Sequence, residues 1–304
     1  MKKSSEHLLQ NRREIFQFIK KYAYRFPVEK MCKVLKVSRS GYYKWLKKEP
    51  ESMEKHKVLD NQIREEFEKS RQTYGSPRLT KKLNENGIVC SKATVGRRMK
   101  EQGIVARKKA KFKNTTDSKH DLPVAPNLLN REFKAEQPGQ AWVSDITYIR
   151  ILNYFIYLTV IIDLADRMVV GWSLSRSLDA NSTVIQAFKN ACRARMPQIG
   201  LIFHSDRGVQ YACKEFIKVL EKYKVIQSMS RKGDCWDNAV AESFFKTLKV
   251  ECVYRRKLKS DQMAYSILFD YINGWYNTVR IHSAIGYISP LAAFRKLTKF
   301  NRAA

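Results

Sequence analysis

The sequence is short of acid: 29 Asp and Glu stand against 58 Lys and Arg in 304 residues. The resulting charge of +29 is spread through the chain, +18 over residues 1–140 and +11 over residues 141–304. Solvated like charge repels itself, and neutralising phosphates releases counterions, so the excess implies a polyanionic partner. A few net positives would suit a protein merely kept soluble by charge, and +29 is far beyond that. The six cysteines (Cys32, Cys90, Cys192, Cys213, Cys235, Cys252) lack Cys-x-x-Cys spacing, and no His-x-x-x-His accompanies them, which excludes a zinc-finger arrangement. They read as reduced thiols in a cytoplasmic protein. No apolar run approaches the roughly 18 to 20 residues of a membrane span. The most apolar stretch, Tyr154–Ile162, is stopped by Asp163 and Asp166 and reads as a buried strand. The N-terminus carries no apolar signal core, and no heptad run is present.

What is there begins with helical periodicity. Ile15, Phe16, Ile19 and Tyr22 recur at helix spacing, Pro27 punctuates, and a second segment runs from Val28 to Val37. Ser38 or Ser40 can cap the helix that follows, whose Arg39, Tyr42, Tyr43 and Lys44 can reach a DNA groove. Residues 1–50 therefore read as a helix-turn-helix-like segment, against the plainer alternative of a helical hairpin with solvated lysines. Lys47–Lys57, polar and proline-bearing, reads as a linker. Residues 58–105 form a second helix-turn-helix-like segment: Gly75 and Pro77 open a helix that Gly87 stops, and Ser91 caps another that ends at Gly103. Lys92, Arg97 and Arg98 are its candidate DNA contacts. Residues 106–139 are basic, then polar with three prolines, and read as a mobile connector able to lie along a phosphate backbone.

From Ala141 the period changes. Trp142–Ile151, Tyr154–Ile162 and Met168–Leu174 read as three strands with short turns, followed by a helix over Asp179–Arg195. Then come a strand at Gly200–Ser205, a helix at Lys214–Lys224, a strand at Val225–Ser230 and a further helix. That order is the one of a ribonuclease-H-like α/β core with a mixed five-stranded sheet, here over residues 140–256. Residues 257–304 should be helical, with Tyr276–His282 as a polar turn.

Three acids in this region stand out. Asp145 and Asp206 sit in apolar, strand-like settings, and Glu242 opens an amphipathic helix after the polar loop Ser230–Asn238. Two strand-borne aspartates and a helix-borne glutamate suit a hard divalent cation, which takes oxygen ligands. Asp234 and Asp237 are rivals for the third place; the helical position and the 35 residues between Asp206 and Glu242 favour Glu242. His204 reads as an orienting residue rather than a ligand. Lys246 and Lys249, four and seven residues beyond Glu242, share its helix face, and Arg231 and Lys232 lie in the loop before it. For Lys246 the plainer alternative is an i,i+4 pair with Glu242. Trp236 suits either the loop surface or the core.

The motifs Ser144-Asp145-Ile146-Thr147-Tyr148, His204-Ser205-Asp206-Arg207-Gly208 and Asp237-Asn238-Ala239-Val240-Ala241-Glu242, with Tyr276-Asn277-x-x-Arg280-x-His282 behind them, resemble those of DDE transposases with a retroviral-integrase-type core. More narrowly, the chain resembles the OrfB product of the insertion-sequence-three family over nearly its whole length. The resemblance implies that Asp145 and Asp206 lie on neighbouring strands. It also implies that the triad holds Mg2+ or Mn2+, two ions by that chemistry, for DNA strand cleavage and strand transfer, and it makes Lys249 the DNA contact on the Glu242 helix. It implies as partners double-stranded DNA, namely insertion-sequence ends and target, a homo-oligomer on that DNA, and an upstream OrfA product or a fusion with it, in the bacterial cytoplasm at the nucleoid. Two other readings stay open at this point: a DNA-binding regulator with a non-catalytic core, and a ribonuclease-H-like nuclease without strand transfer.

Overall fold

Apolar residues on both faces of Tyr154–Asp163 suit an interior strand of a sheet, and a computed structural model places it second of five, next to the central strand Ala141–Ile151. The structure describes residues 11–106, 122–232 and 234–300. The basic run at residues 107–121, expected to lie along DNA, falls outside them. The chain divides into two compact units, one of residues 1–69 with 82–105, the other of residues 70–81 with 106–304.

In the first unit, α1 (Arg12–Tyr22), α2 (Val28–Val34) and α3 (Arg39–Lys69) close around Phe16, Ile19, Met31, Cys32 and Tyr42. Asn11 caps α1 by accepting from the Glu14 amide at 3.0 Å, and Ser38 Oγ accepts from the Gly41 amide at 3.1 Å. The linker expected at Lys47–Lys57 is instead part of α3, which passes straight through Pro50. Proline costs a helix interior about 3 kcal/mol. Strong helix formers around it, the Lys55–Glu51 pair at 2.6 Å, and the anchoring of buried Glu49 by Lys20 offset that cost. The division between the units runs through α4 (Ser76–Glu85). Gly87, at φ +84°, ends that helix, with the Ile88 amide returning to the Leu83 carbonyl. Ser91 caps α5 (Lys92–Glu101) through the Thr94 amide at 3.1 Å, and Gly103 follows at φ +66°.

The second unit holds a five-stranded sheet: β1 (Ala141–Ile151), β2 (Tyr154–Asp163), β3 (Val169–Ser175), β4 (Ile202–Ser205) and β5 (Ile226–Met229), in the order β3-β2-β1-β4-β5. β1, β2 and β3 are antiparallel neighbours, while β4 runs parallel to both β1 and β5. This is the mixed sheet of a ribonuclease-H-like core. A π-helical turn at Asn181–Ile185 leads into α6 (Gln186–Ala194), and the short α7 (Val209–Ala212) precedes α8 (Lys214–Lys222). Their apolar faces meet the sheet in a core of Trp142, Phe188, Phe203, Tyr211 and Phe216. α9 (Ala239–Glu251) bears Glu242, and α10 (Asp261–Phe269), a π-helical turn at Asp270–Tyr276 and α11 (Pro290–Phe300) complete the chain.

Two expectations fail in this unit. The later part of the supposed mobile connector is tied to the core: Leu129 is buried, and the Leu128 amide donates to Ser228 Oγ at 2.9 Å. The supposed polar turn at 276–282 is mostly interior. Tyr276 stacks edge-on against Phe244 at 4.8 Å, and Arg280 donates from Nε and Nη2 to the two Glu251 oxygens, each at 2.8 Å. Polar residues were read as solvent-facing, but here Asn277 and Arg280 have interior partners that satisfy them.

Candidate active site

Parallel pairing of β1 with β4 aligns Val143 with His204. Carried two residues further, the same register points Asp145, within β1, at Asp206, the residue just past the end of β4. Asp145 accepts a hydrogen bond from the Ile146 amide at 2.8 Å, and Asp206 Oδ1 accepts from the Gly208 amide at 3.0 Å. Both are half-buried. Burial pushes the Asp145 carboxyl well above the usual carboxylate range, and repulsion from Asp206 and then Glu242 adds to it. The three acids named from sequence thus feel one another across β1, β4 and α9.

Beneath them the polar groups are satisfied. Ser144 Oγ donates to the Val160 carbonyl at 2.9 Å and shares a hydrogen bond with the buried Tyr211 hydroxyl at 2.8 Å. His204 is fully buried between Ser228 Oγ at 2.8 Å and Ser230 Oγ at 3.3 Å, and burial lowers its pKa to about 4. It therefore stays neutral and orients β4 against β5, as an orienting residue should.

The loop before α9 is organised around Asp237, the rival acid of the sequence, whose charge is taken up inside the loop. Asp237 is completely buried and accepts from Arg231 Nε and Nη2 at 3.0 and 2.8 Å, from Arg131 Nε at 2.9 Å and from Asn127 Nδ2 at 2.8 Å. These cations hold its carboxyl far below the ordinary range, the Arg231 hydrogen bond foremost. Asp234 is also tied down, by Arg131, and its Oδ1 accepts from the Trp236 amide. Asn238 makes no cap; its Nδ2 donates to the Ser144 carbonyl at 3.0 Å, fixing the start of α9 to the strand that carries Asp145. The anchors Arg131 and Asn127 lie 106 and 110 residues upstream of Asp237, and the sequence carries no local signal for that pairing. Trp236 is 69% exposed, so it belongs to the loop surface rather than to the core.

The candidate DNA contacts divide into two groups. Arg39, Tyr43, Lys44, Lys92, Arg97 and Lys232 are exposed. Tyr42 lies in the helical core, and Arg98 is drawn onto Asp60, with Nε at 2.7 Å from Oδ1. Arg231 is committed to Asp237, as described. Lys246 donates to Glu242 at 3.2 Å, the i,i+4 pair that the spacing allows. Lys249 is only 9% exposed; burial lowers its pKa, and the nearby Asp145 carboxylate works against that.

Among the described residues no three of His, Cys, Asp and Glu stand close enough to form a ready-made metal cluster. Glu242 is turned along its helix onto Lys246 rather than toward the two aspartates. The donor set nevertheless fits a hard divalent cation: three carboxylates of which the innermost is destabilised by the other two, with no soft ligand.

The family description "Integrase core domain" matches residues 135–235 and again 223–290, and "HTH-like domain" matches residues 54–112. The chain is 37% identical over 278 residues to "Transposase InsF for insertion sequence IS3A" of Escherichia coli strain K12, covering 90% of this chain and 96% of that protein. The chain belongs to the IS3 family of insertion-sequence transposases. The transposase is also 40% identical over 270 residues to the "Insertion element IS600 uncharacterized 31 kDa protein" of Shigella sonnei, covering 88% and 97% of the two chains. Among solved structures, the catalytic core domain of BIV integrase aligns with 55% of the transposase and 99% of its own chain, at 13% identity and a TM-score of 0.41. A chain of the simian T-cell lymphotropic virus intasome aligns over 71% and 73% at 14% identity and a TM-score of 0.46. The transposase is a polynucleotidyl transferase built on an integrase core. No helix among its described residues is long and apolar enough to cross a membrane.

Proposed function

We propose that Asp145, Asp206 and Glu242 are the catalytic and metal-binding residues with which this transposase cleaves and joins DNA strands. The observation that carries the reading is the pairing of β1 with β4, which sets two carboxylates side by side with a third acid repelling them. Mg2+ or Mn2+, two ions in this reading, would supply Lewis acidity at phosphorus and lower the pKa of a bound water or hydroxyl. The chain's own part is to hold the acids. The Ile146 and Gly208 amides orient two of them, Asn238 ties α9 to β1, and Lys249 offsets negative charge beside Asp145. In cleavage, water attacks phosphorus and the 3′ oxygen leaves with a proton. In strand transfer, that 3′-hydroxyl attacks a second phosphodiester and displaces its 3′ oxygen.

In the same reading the exposed Arg39, Tyr43, Lys44, Lys92 and Arg97 contact insertion-sequence ends, with Lys232, Lys246 and the outer edge of Arg231 nearer the reaction. The protein works in the bacterial cytoplasm as a homo-oligomer on paired ends, joined or fused to an upstream OrfA product. The test is an Asp206→Asn protein given its element's terminal DNA and Mg2+. It should bind the DNA yet form neither nicked nor joined product; strand joining at the wild-type rate would overturn the assignment. Wild-type products that are nicked and never joined would favour a nuclease.

A further inference from the structure

α9 presents a second stripe, one residue on from Glu242 and Lys246. Ser243 and Thr247, with Ala239 and Val250, line a cavity of about 470 Å³ that Glu242, Lys246 and Lys249 do not line. Its other walls carry Arg78, Arg167, Arg255, Arg280 and His282, with Glu251 as the one acid. Glu251 is already occupied by Arg280 and by the Tyr271 hydroxyl at 2.8 Å. Arg78 donates to the Ile281 carbonyl at 3.1 Å and Arg167 to the Phe133 carbonyl at 2.6 Å; among the described residues neither meets a carboxylate. The acids that reach Arg167 through space, Asp163 and Asp166, are both held by Arg195. Among the described residues the buried Arg167 Nε meets no hydrogen-bond partner. Arg167 also sits at φ +63°, where a glycine or asparagine would cost less. Burial lowers the pKa of both Arg78 and Arg167, which marks the charge as poorly solvated.

We infer that this cavity is a phosphate-binding site, separate from the three acids, which takes a phosphoryl group of a DNA strand. Guanidinium forks match phosphate oxygens two at a time, and the Ser243 and Thr247 hydroxyls can donate to the same anion. The volume admits a phosphate together with part of its nucleotide. Tyr276, Arg280 and His282 build one wall, so the Tyr-Asn-x-x-Arg-x-His motif acquires a task that strand chemistry does not require of it.

The test is calorimetric titration of the full chain in EDTA, where no strand chemistry runs, so its outcome is independent of the triad. The probes are pyrophosphate and, separately, a 5′-phosphorylated thymidine dinucleotide. One saturable site is expected, weakened tenfold or more by Arg167→Gln. Ser243→Trp, an exposed helix position, should plug the cavity to the same effect with every guanidinium kept, and it decides the matter if Arg167→Gln does not fold. Tighter binding of the dinucleotide assigns the site to the DNA strand, and equal binding assigns it to a free phosphoryl group. Failure of both probes to bind, or wild-type affinity in both variants, would overturn the inference.

Discussion

Asn277 brackets Val169 at the outer edge of the sheet. Its Oδ1 accepts from the Val169 amide and its Nδ2 donates to the Val169 carbonyl, each at 3.0 Å. One side-chain amide thereby does for β3 what a neighbouring strand would do, and it binds the C-terminal region to the core. Asn277→Ala leaves both backbone groups buried and unpaired, at roughly 1–3 kcal/mol for each group. Urea unfolding should show the midpoint falling with the slope unchanged; an unaltered midpoint would mean water takes over the role of the amide.

Gly171 marks the closest approach of the sheet to α6. A Cβ there would meet the Ala187 carbonyl oxygen at 2.5 Å and Ala191 Cβ at 2.6 Å. It pairs with Ile161, next to a register shift in the β2–β3 ladder. Gly171→Ala should cost about 1–3 kcal/mol through overpacking, read as a lower melting temperature. Ala191→Gly in the same chain removes one of the clashing atoms and should recover part of the loss.

Two buried groups give stability opposite slopes in acid. Burial, then Arg280, Arg78 and Arg167, lowers His282 to about 2. Its unfolded form takes up a proton below about pH 6.5, so its stabilising contribution is complete above that and shrinks as the pH falls. Asp166 is raised to about 6, by burial first and then by Asp163. Its folded form keeps a proton that the unfolded form has lost, so its contribution is complete below about pH 4 and shrinks as the pH rises to 6. Between pH 4 and 6, His282→Asn should therefore flatten or reverse the loss of melting temperature on acidification, and Asp166→Asn should steepen it. Parallel curves for both variants and the wild type would refute the assignment.

The strands themselves were legible because alternation and short turns mark them, whereas the nearness of Asp145 to Asp206 was implied by the family resemblance and by no local pattern. Helix ends at Gly87, Ser91 and Gly103 were legible because caps are local. What escaped was non-local. Pro50 reads as a break until Glu49 is seen buried and held by Lys20. Asp237 reads as a spare acid until Arg131 and Asn127 arrive from far upstream. Arg98 and Arg231 read as free charges because a sequence displays charge and hides its partner, here Asp60 and Asp237.

In the proposed triad, stability is given up where three acids are gathered. Burial and repulsion from Asp206 and Glu242 disfavour the ionised Asp145 that neutral pH demands, so Asp145→Asn should raise the melting temperature of the metal-free protein by a few degrees, about 1 kcal/mol in a chain of this size. Saturating Mg2+ should reverse the advantage, because a ligand bound only by the folded state stabilises it by mass action, and the variant has lost a ligating oxygen. Thermal scans in EDTA and in Mg2+ measure both effects on the same samples. A wild type that gains no more from Mg2+ than Asp145→Asn does would remove Asp145 from the metal site, whatever the variant's activity. A gain that is larger for the wild type, coupled with a higher metal-free melting temperature for the variant, ties the cost of gathering three acids to the ion that makes them useful.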